Sequence, residues 1–268
     1  MSTTPVPILL INLDRATDRL ARMQARLGDC GAAFERVPAV DARALEDEDF
    51  ARRVPGDGHW GLLTPGEVGC FLSHRRAWKL IVEKDLPYAL VLEDDVVIGR
   101  QGADLIASGD WVPGDADLVK LETDFKPVRL SARAVAREAG HDVVRLYSSH
   151  YCAAAYLVTR VAARRLLAAT TAFRDAVDEM LFAVRSPLSR SLTIYQMDPA
   201  PFVQEHKYGD PSSVFDPGGS IGGREGKVRP GRSPLAALIS VLAGIAGNGW
   251  QGALGLLGRR RRAVVPFR

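Results

Sequence analysis

The stretch that decides the fold is Tyr88-Ala89-Leu90-Val91-Leu92-Glu93-Asp94-Asp95. Its apolar run is short and lies between Pro87 and the acids, a pattern typical of a buried central strand. Two unit charges ~4 Å apart repel by roughly 4 kcal/mol at an effective dielectric of about 20, so a cation that shares the carboxylate oxygens relieves a real cost. Ligands also collect at the carboxyl ends of strands in open α/β sheets. The stretch therefore predicts a metal or substrate site, against the alternative of a solvated turn.

The composition is that of an ordinary soluble globular protein. The chain has 268 residues, of which 47% are hydrophobic and 25% charged, enough for one large domain or two small ones. A net charge of +3 is too small to favour a nucleic-acid partner, and we expect none. The three cysteines, Cys30, Cys70 and Cys152, are widely spaced and indicate reduced thiols in a cytosolic compartment. The N-terminus has no basic region before its apolar run, so we interpret it as a first strand and not a signal peptide.

Strand and helix patterns alternate along the first ~200 residues, which predicts an α/β domain with a mixed sheet. Candidate strands cover residues 8–11, 34–40, 88–92, 117–122, 145–149, 153–159 and 192–196. Candidate helices cover residues 64–84, 103–108, 160–169 and 180–184, together with one whose buried stripe is Leu20, Met23 and Leu27.

Two local patterns carry candidate ligand-binding groups. The first helix has four arginines spaced by three or four, of which Arg15 and Arg19 follow a strand end and are best placed to meet an anionic ligand. Thr64-Pro65-Gly66-Glu67 predicts a helix start with a capping box. Glu67, Cys70 and His74 then share one helix face as a conceivable metal trio, although the cap already gives Glu67 a sufficient role.

Six segments in order resemble the bacterial glycosyltransferase family 25, which adds sugars to lipopolysaccharide and lipooligosaccharide. The matching segments cover about 200 residues. They are Ile11-Asn12-Leu13-Asp14-Arg15 with Arg19, Phe34 to Asp41, Leu63 to Cys70 with Leu72-Ser73-His74, Leu92 to Val96, Tyr156 to Arg160, and Val177-Asp178. The third segment is the most specific, and the fourth corresponds to the family's DxD-like acidic element.

The resemblance implies a GT-A-like single Rossmann-type domain, a nucleotide-sugar donor that is most often UDP-galactose, and inversion at the anomeric carbon. It also implies a lipid-linked saccharide as the acceptor. The resemblance implies a set of donor-binding residues, with Arg15 or Arg19 as a contact to the diphosphate. They are Asn12, Asp14, Arg15, Arg19, Glu67, Ser73, His74, Glu93 and Gln204. Gln204 lies beyond the six segments but matches a family position, as a contact to the donor or the acceptor.

The expected chemistry needs a charge to neutralise the leaving diphosphate and a base to activate the acceptor. A divalent ion, Mn²⁺ or Mg²⁺, held by Asp94 and Asp95 would supply the charge, with His206 as a further ligand. For the base, Asp178 matches a family position at a helix start, where capping that helix is its alternative role. Glu122, at the end of a predicted strand, is the second candidate.

The sequence divides into residues 1–208 as the catalytic domain, residues 209–233 as a Gly/Pro/Ser-rich linker or lid, and residues 234–268 as an apolar helical segment with a basic tail. Basic clusters flank that segment on both sides and Gly247-Asn248-Gly249 interrupts it. We therefore expect a helix near 234–246, a break and a second piece near 250–257, forming a shallow interfacial or re-entrant segment on the cytoplasmic face of the inner membrane. The alternative is a helix packed on the catalytic domain.

Two other function classes fit an acidic cluster. A nucleotidyl or phosphoryl transferase would also hold a metal, but the sequence has no Walker-type Gly-Lys-Ser/Thr loop. A non-catalytic, membrane-tethered carbohydrate-binding protein would keep the fold without the chemistry. The leading interpretation is an inverting, metal-dependent hexosyltransferase that is peripheral to the membrane.

Overall fold

The structure, a computed structural model, describes residues 5–41, 47–209 and 259–268. The strands of this part of the chain are β1 (Ile8–Asn12), β2 (Glu35–Pro38), β3 (Tyr88–Glu93), β4 (Val96–Ile98), β5 (Leu118–Lys120), β6 (Pro127–Ser131), β7 (Ala136–Glu138), β8 (His141–Arg145), β9 (Ala155–Thr159), β10 (Ile194–Asp198), β11 (Phe202–Gln204) and β12 (Arg260–Val264). The helices are α1 (Thr17–Asp29), α2 (Asp47–Arg53), α3 (Pro65–Glu83), α4 (Gly102–Ala107), α5 (Arg160–Ala169), α6 (Val177–Phe182), α7 (Pro187–Arg190) and α8 (Glu205–Tyr208).

Eight strands form one mixed sheet in the order β2-β1-β3-β9-β5-β10-β8-β7. β1 pairs in parallel with β2 and β3, whereas β9 runs antiparallel between β3 and β5. The predicted α/β class and mixed sheet are therefore confirmed. The parallel arrangement places the carboxyl ends of β1 and β3, and the start of β9, at one edge of the sheet.

The central strand β3 is buried on both faces, as its continuous apolar run predicts. Val91 packs into a core formed with α3, α5 and α6, while Leu90 and Leu92 pack into a second core with α1 and α4 on the other face. Each core is stabilised by about 25 cal/mol per Å² of apolar surface removed from water. This two-sided burial fixes the register of β3 and therefore the position of the acids that follow it.

Helix α3 begins as the sequence predicts. The Thr64 hydroxyl accepts the Glu67 backbone N–H, and the Glu67 carboxylate accepts the Thr64 backbone N–H at 2.7 Å, which completes the capping box. Phe71 and Trp78 are fully buried against the sheet. The start of α3 thereby lies at the same sheet edge as the acidic turn.

Several peripheral elements differ from the predicted ones. The predicted strand at 145–149 is β8, His141–Arg145, and the one at 192–196 is β10, Ile194–Asp198. Strands β6, β7 and β12 were not predicted. β6 and β8 are only alternately buried, so the apolar run that marks β3 is missing from them.

The last ten residues pack on the catalytic domain, which corrects the predicted basic tail. β12 pairs antiparallel with β6, and Val265 beyond it is fully buried. Arg261, whose side chain is partly exposed, pairs with Asp198 of β10. The tail packs here because an edge of β6 would otherwise have unpaired backbone N–H and C=O groups, and β12 forms hydrogen bonds with them.

The predicted lid or linker and the apolar segment at 234–257 fall on residues 210–258, outside the described residues. Within the part of the chain that is described, no helix has both the length and the apolar composition to cross a bilayer.

Candidate active site

The acidic turn connects β3 to β4 at the sheet edge. The backbone N–H of Glu93 donates to the Ala154 carbonyl at 2.8 Å, and the Glu205 N–H donates to the Asp95 carbonyl at 2.8 Å. The turn is thus held on one side by the start of β9 and on the other by α8. Because parallel β1 ends beside β3, Asn12 lies next to the acids.

Asp94 has both carboxylate oxygens engaged. Asn12 Nδ2 donates to Oδ2 at 2.7 Å, and Arg19 Nη2 lies 3.0 Å from Oδ1. Burial raises the pKa of Asp94, and these two partners only partly oppose it. Asp94 therefore stabilises the turn through its bonds with Asn12 and Arg19. Because both of its oxygens already have partners, Asp94 is less available than Asp95 as a metal ligand.

Asp95 is the carboxylate with an open coordination position. Its Oδ1 is buried without a hydrogen-bond partner in the described chain, while Gln204 Nε2 donates to Oδ2 at 3.3 Å. Burial, and then repulsion from Glu93 and Asp94, raises the pKa of Asp95 to about 8. A divalent cation prefers oxygen ligands and would stabilise the ionised form, so this orphaned oxygen fits a metal ion.

Glu93 is the first member of a buried hydrogen-bonded chain. His74 Nε2 lies 3.1 Å from Glu93 Oε1, and His74 Nδ1 lies 2.9 Å from the Tyr156 hydroxyl. Trp78 Nε1 donates to that hydroxyl oxygen at 2.8 Å. The indole N–H can only donate, so we assign the Tyr156 hydroxyl as the donor to His74 Nδ1. His74 Nε2–H is then the donor to the Glu93 carboxylate. The chain fixes the Glu93 carboxylate at the edge of the turn.

The predicted trio of Glu67, Cys70 and His74 does not form. Instead, one ligand atom each of Cys70, His74 and Glu93 lie within 4.8 Å of one another. The Cys70 thiol donates to Glu93 at 3.6 Å, and burial followed by the Glu93 charge raises the pKa of Cys70 well above its usual value. The geometry shows that Cys70 and His74 both hold the Glu93 carboxylate in place.

The two candidate bases have opposite environments. Asp178, at the first turn of α6, is half-buried, and its Oδ2 accepts the Cys152 N–H at 3.1 Å. The N-cap of α6 is Ala176, so the alternative role of Asp178 as that cap is wrong. Glu122 is fully buried, with Lys120 Nζ at 3.0 Å and the Ala154 N–H at 2.7 Å from Oε1. Only Asp178 is accessible to an acceptor.

The comparisons with known proteins cover the part of the chain that contains this site. The profile of "Glycosyltransferase family 25 (LPS biosynthesis protein)" matches residues 6–181, a range that contains Asn12, the acidic turn and Asp178. The chain belongs to glycosyltransferase family 25. It is therefore a glycosyltransferase, and the resemblance identified from the motifs is confirmed.

Curated relatives cover most of the chain. It is 30% identical over 208 residues to the lacto-N-neotetraose biosynthesis glycosyltransferase LgtE of Neisseria meningitidis serogroup B, covering 74% of each chain. It is 25% identical to the lipooligosaccharide biosynthesis protein lic2B of Haemophilus influenzae, covering 73% of this chain and 75% of the relative. A glycosyltransferase involved in glycosylation of the major capsid of PBCV-1 aligns with a TM-score of 0.42 and 11% identity, covering 75% of this chain and 93% of that one.

Other predicted donor-binding residues of the glycosyltransferase fall into an outer and an inner set. Asp14 and Arg15 are exposed at the end of β1, where Arg36 pairs with Asp14 and Asp41 pairs with Arg15. Ser73 is buried, donating to the Gly69 carbonyl at 2.6 Å and accepting the Val40 N–H at 2.8 Å. The outer set, Asp14 and Arg15, is accessible to a donor. The inner set, Ser73 and Glu67, is buried, and its hydrogen bonds hold α3 in place.

His206 and Gln204 lie beyond the family match but at the same edge. His206 is exposed on α8, the helix whose first N–H donates to the Asp95 carbonyl. Partial burial of the imidazole, and then the neighbouring Lys207 charge, lowers the pKa of His206. Among the described residues, Asp94, Asp95 and His206 do not come together as a group of ligand atoms within 4.8 Å of one another, so His206 as a metal ligand stays a prediction.

Sequence reasoning missed a second polar layer beneath the acidic turn of the transferase. Lys120, fully buried in β5, bonds Glu122 and the Cys152 carbonyl. Next to it, His150 contacts both Asp124 and Gln196. Burial alone would raise the pKa of Asp124, but the hydrogen bond and charge of His150 outweigh that effect and hold this pKa well below its usual range. A lysine inside an otherwise apolar strand was the available signal, because a buried lysine requires an acidic partner.

The capping role of Glu67 makes a first prediction. Replacing Glu67 by Ala removes the acceptor for the Thr64 N–H and hydroxyl, and should lower the free energy of unfolding by about 1–2 kcal/mol. Glu67→Gln keeps an acceptor oxygen and should lose less. Urea denaturation measures both changes. An Ala variant with wild-type stability and a raised donor KM would show instead that Glu67 binds the donor.

Proposed function

We propose that the protein is an inverting hexosyltransferase that moves a hexose, galactose from UDP-galactose in the leading case, onto lipopolysaccharide or another lipid-linked saccharide. The observation that carries this proposal is Asp95, whose orphaned carboxylate oxygen lies among like charges at the carboxyl end of the central strand. The relatives named for lacto-N-neotetraose and lipooligosaccharide biosynthesis support a saccharide acceptor of this class.

The residues at the sheet edge divide into donor and acceptor roles. A divalent ion, Mn²⁺ or Mg²⁺, at Asp95 would supply positive charge to the diphosphate leaving group. Arg15, exposed at the rim, and Arg19, already bound to Asp94, add cationic contacts on the donor side. Glu93, oriented by His74, is placed to accept hydrogen bonds from the donor's hydroxyl groups.

The acceptor hydroxyl requires a base on the face of the sugar opposite the leaving group. Asp178 takes this role in the proposal, because it is accessible and its carboxylate is oriented by the Cys152 and Glu179 N–H groups. As the acceptor oxygen attacks the anomeric carbon, its proton passes to Asp178 and the bond to the diphosphate breaks. A single displacement inverts the configuration at that carbon.

A donor screen tests the proposal. The protein is incubated with Mn²⁺, a panel of nucleotide sugars and a saccharide acceptor, and release of UDP is measured with and without chelator. UDP-galactose should give the highest rate, and the anomeric configuration of the product, read by NMR, should be inverted. A product with retained configuration, or full activity in EDTA, contradicts the corresponding part of the proposal.

We further propose that the protein is cytoplasmic and peripheral on the inner membrane. The apolar segment at residues 234–257 would attach it to the membrane surface. Because residues 259–268 complete the catalytic domain, the informative deletion removes 234–258 and retains the tail. This variant should stay folded but lose flotation with anionic vesicles, which a sucrose-gradient assay measures. Wild-type flotation of the deletion would exclude this segment as the anchor.

A further inference from the structure

Beside Asp178, an aromatic and cationic cluster surrounds the buried carboxylate of Glu179. Trp60 Nε1 donates to Glu179 Oε1 at 2.6 Å, and Arg185 pairs with the other oxygen. The Arg185 guanidinium lies 5.5 Å from the Trp60 ring centroid and also donates to the Tyr151 hydroxyl at 3.2 Å. Trp60, Tyr151 and Arg185 are all partly exposed, so the cluster faces solvent while its anchor is buried.

The loop that carries Trp60 is held rigidly. The His59 N–H donates to Asp175 Oδ1 at 2.6 Å, and the Phe173 N–H donates to the Arg53 carbonyl at 2.8 Å. Gly58 lies so close to the chain before α6 that a Cβ added there would fall on the Arg174 carbonyl oxygen. An aromatic ring fixed in this way contacts a ligand with little loss of conformational entropy.

The cluster and the proposed base share the same two segments of chain. Asp178 and Glu179 are neighbours in α6, and Tyr151 and Cys152 are neighbours before β9. The Cys152 N–H donates to Asp178, while Arg185 joins Tyr151 to Glu179. The cluster and the Asp178 carboxylate are therefore held by neighbouring residues of the same two segments.

From this arrangement we propose that Trp60, Tyr151 and Arg185 form the binding subsite for the acceptor saccharide. The proposal rests on the proposed function, since it takes Asp178 as the base. Sugar rings present weakly positive C–H groups on one face, which pack on the negative face of an indole. Arg185 and the Tyr151 hydroxyl offer polar groups to the sugar's hydroxyls, and the fixed loop sets the orientation.

The test separates saccharide binding from catalysis. Saturation-transfer NMR with lactose and N-acetylglucosamine as probes reports binding without turnover. Trp60→Ala should abolish the saturation-transfer signal and raise the acceptor KM at least tenfold. Mn²⁺-dependent UDP binding, which involves the donor side alone, should stay unchanged. Val161→Ala, an exposed apolar change on α5, serves as the matched surface control.

A second variant keeps every proposed contact residue and changes only the position of the loop. Gly58→Ala must displace the loop from the Arg174 carbonyl, so it should also raise the acceptor KM with an unchanged donor KM. The unchanged donor KM, together with a thermal melting curve of each variant, shows that the protein is still folded. Wild-type saccharide binding in Trp60→Ala, or an unchanged acceptor KM in both variants, overturns the subsite. A wild-type protein that binds the probes but releases no UDP from any donor would refute the proposed function while leaving the subsite in place.

Discussion

Replacing Asp95 by Asn should reduce glycosyl transfer by at least about 10³-fold and remove the effect of Mn²⁺ on UDP binding. The amide keeps the size of the side chain and can still contact Gln204, but it lacks the negative charge that a divalent cation requires. Isothermal titration of UDP with and without Mn²⁺ measures the binding, and UDP release measures the turnover.

The same substitution should leave the protein folded. In the absence of metal, the carboxyl of Asp95 is buried beside Glu93 and Asp94, and its pKa is raised to about 8 because ionising it there is unfavourable. At neutral pH the wild-type carboxylate is ionised in the unfolded chain and must take up a proton on folding, a cost that the neutral isostere avoids. The melting temperature of the variant should therefore equal or exceed that of the wild type. Asp104→Asn, an exposed change in α4, is the matched control and should alter neither property.

Asp94→Asn provides the contrast within the turn. Its carboxylate is paired with Arg19 and accepts from Asn12, so the variant should lose stability through an unpaired arginine and a displaced turn. UDP binding that depends on Mn²⁺ in Asp95→Asn but not in Asp94→Asn would reverse the assignment of the two acids.

The sequence was sufficient where local and global preferences coincide. The apolar run of β3 is buried on both faces, so its pattern identifies both the strand and the position of the acids after it. The capping box of α3 involves residues only three apart, and the expected hydrogen bonds form. In both cases the sequence pattern that indicates the structure lies within a few consecutive residues.

The parts that could not be predicted depend on contacts between distant residues. The bond between His74 and Tyr156 spans 82 positions, and it exists only because antiparallel β9 lies next to β3. Nothing near His74 in the chain indicates a tyrosine partner. For the same reason, Glu93 replaces Glu67 in the cluster with Cys70, since helical spacing could not show which strand end the helix faces.

The two candidate bases show the same limit in a functional setting. Both are acids near the end of a predicted element, and sequence alone could not rank their exposure. Glu122, two residues beyond the end of β5, is fully buried and paired with Lys120, the last residue of that strand. Asp178 lies on the first turn of a short helix that leaves its carboxylate partly exposed. Tertiary packing, and not residue type, separates a structural acid from an accessible one.

Replacing Asp178 by Asn should lower the transfer rate by about 10²–10⁴-fold, the usual contribution of a general base. The amide oxygen can keep one of the two backbone N–H bonds, so the loss of stability should be only about 1 kcal/mol. UDP binding with Mn²⁺ should be retained, because the donor side of the site is unchanged. Single-turnover measurements at saturating donor and acceptor isolate the chemical step.

Glu122→Gln is the control that distinguishes a base from a structural acid. Losing its charge leaves Lys120 buried without an ionic partner, a change that costs about 3–5 kcal/mol. We therefore expect this variant to melt at a lower temperature, but to show near-normal turnover in the fraction that remains folded. Normal turnover in Asp178→Asn, together with inactivity of folded Glu122→Gln, would contradict this assignment. The acceptor's proton would then pass to the buried Glu122 carboxylate, and Asp178 would not be the base.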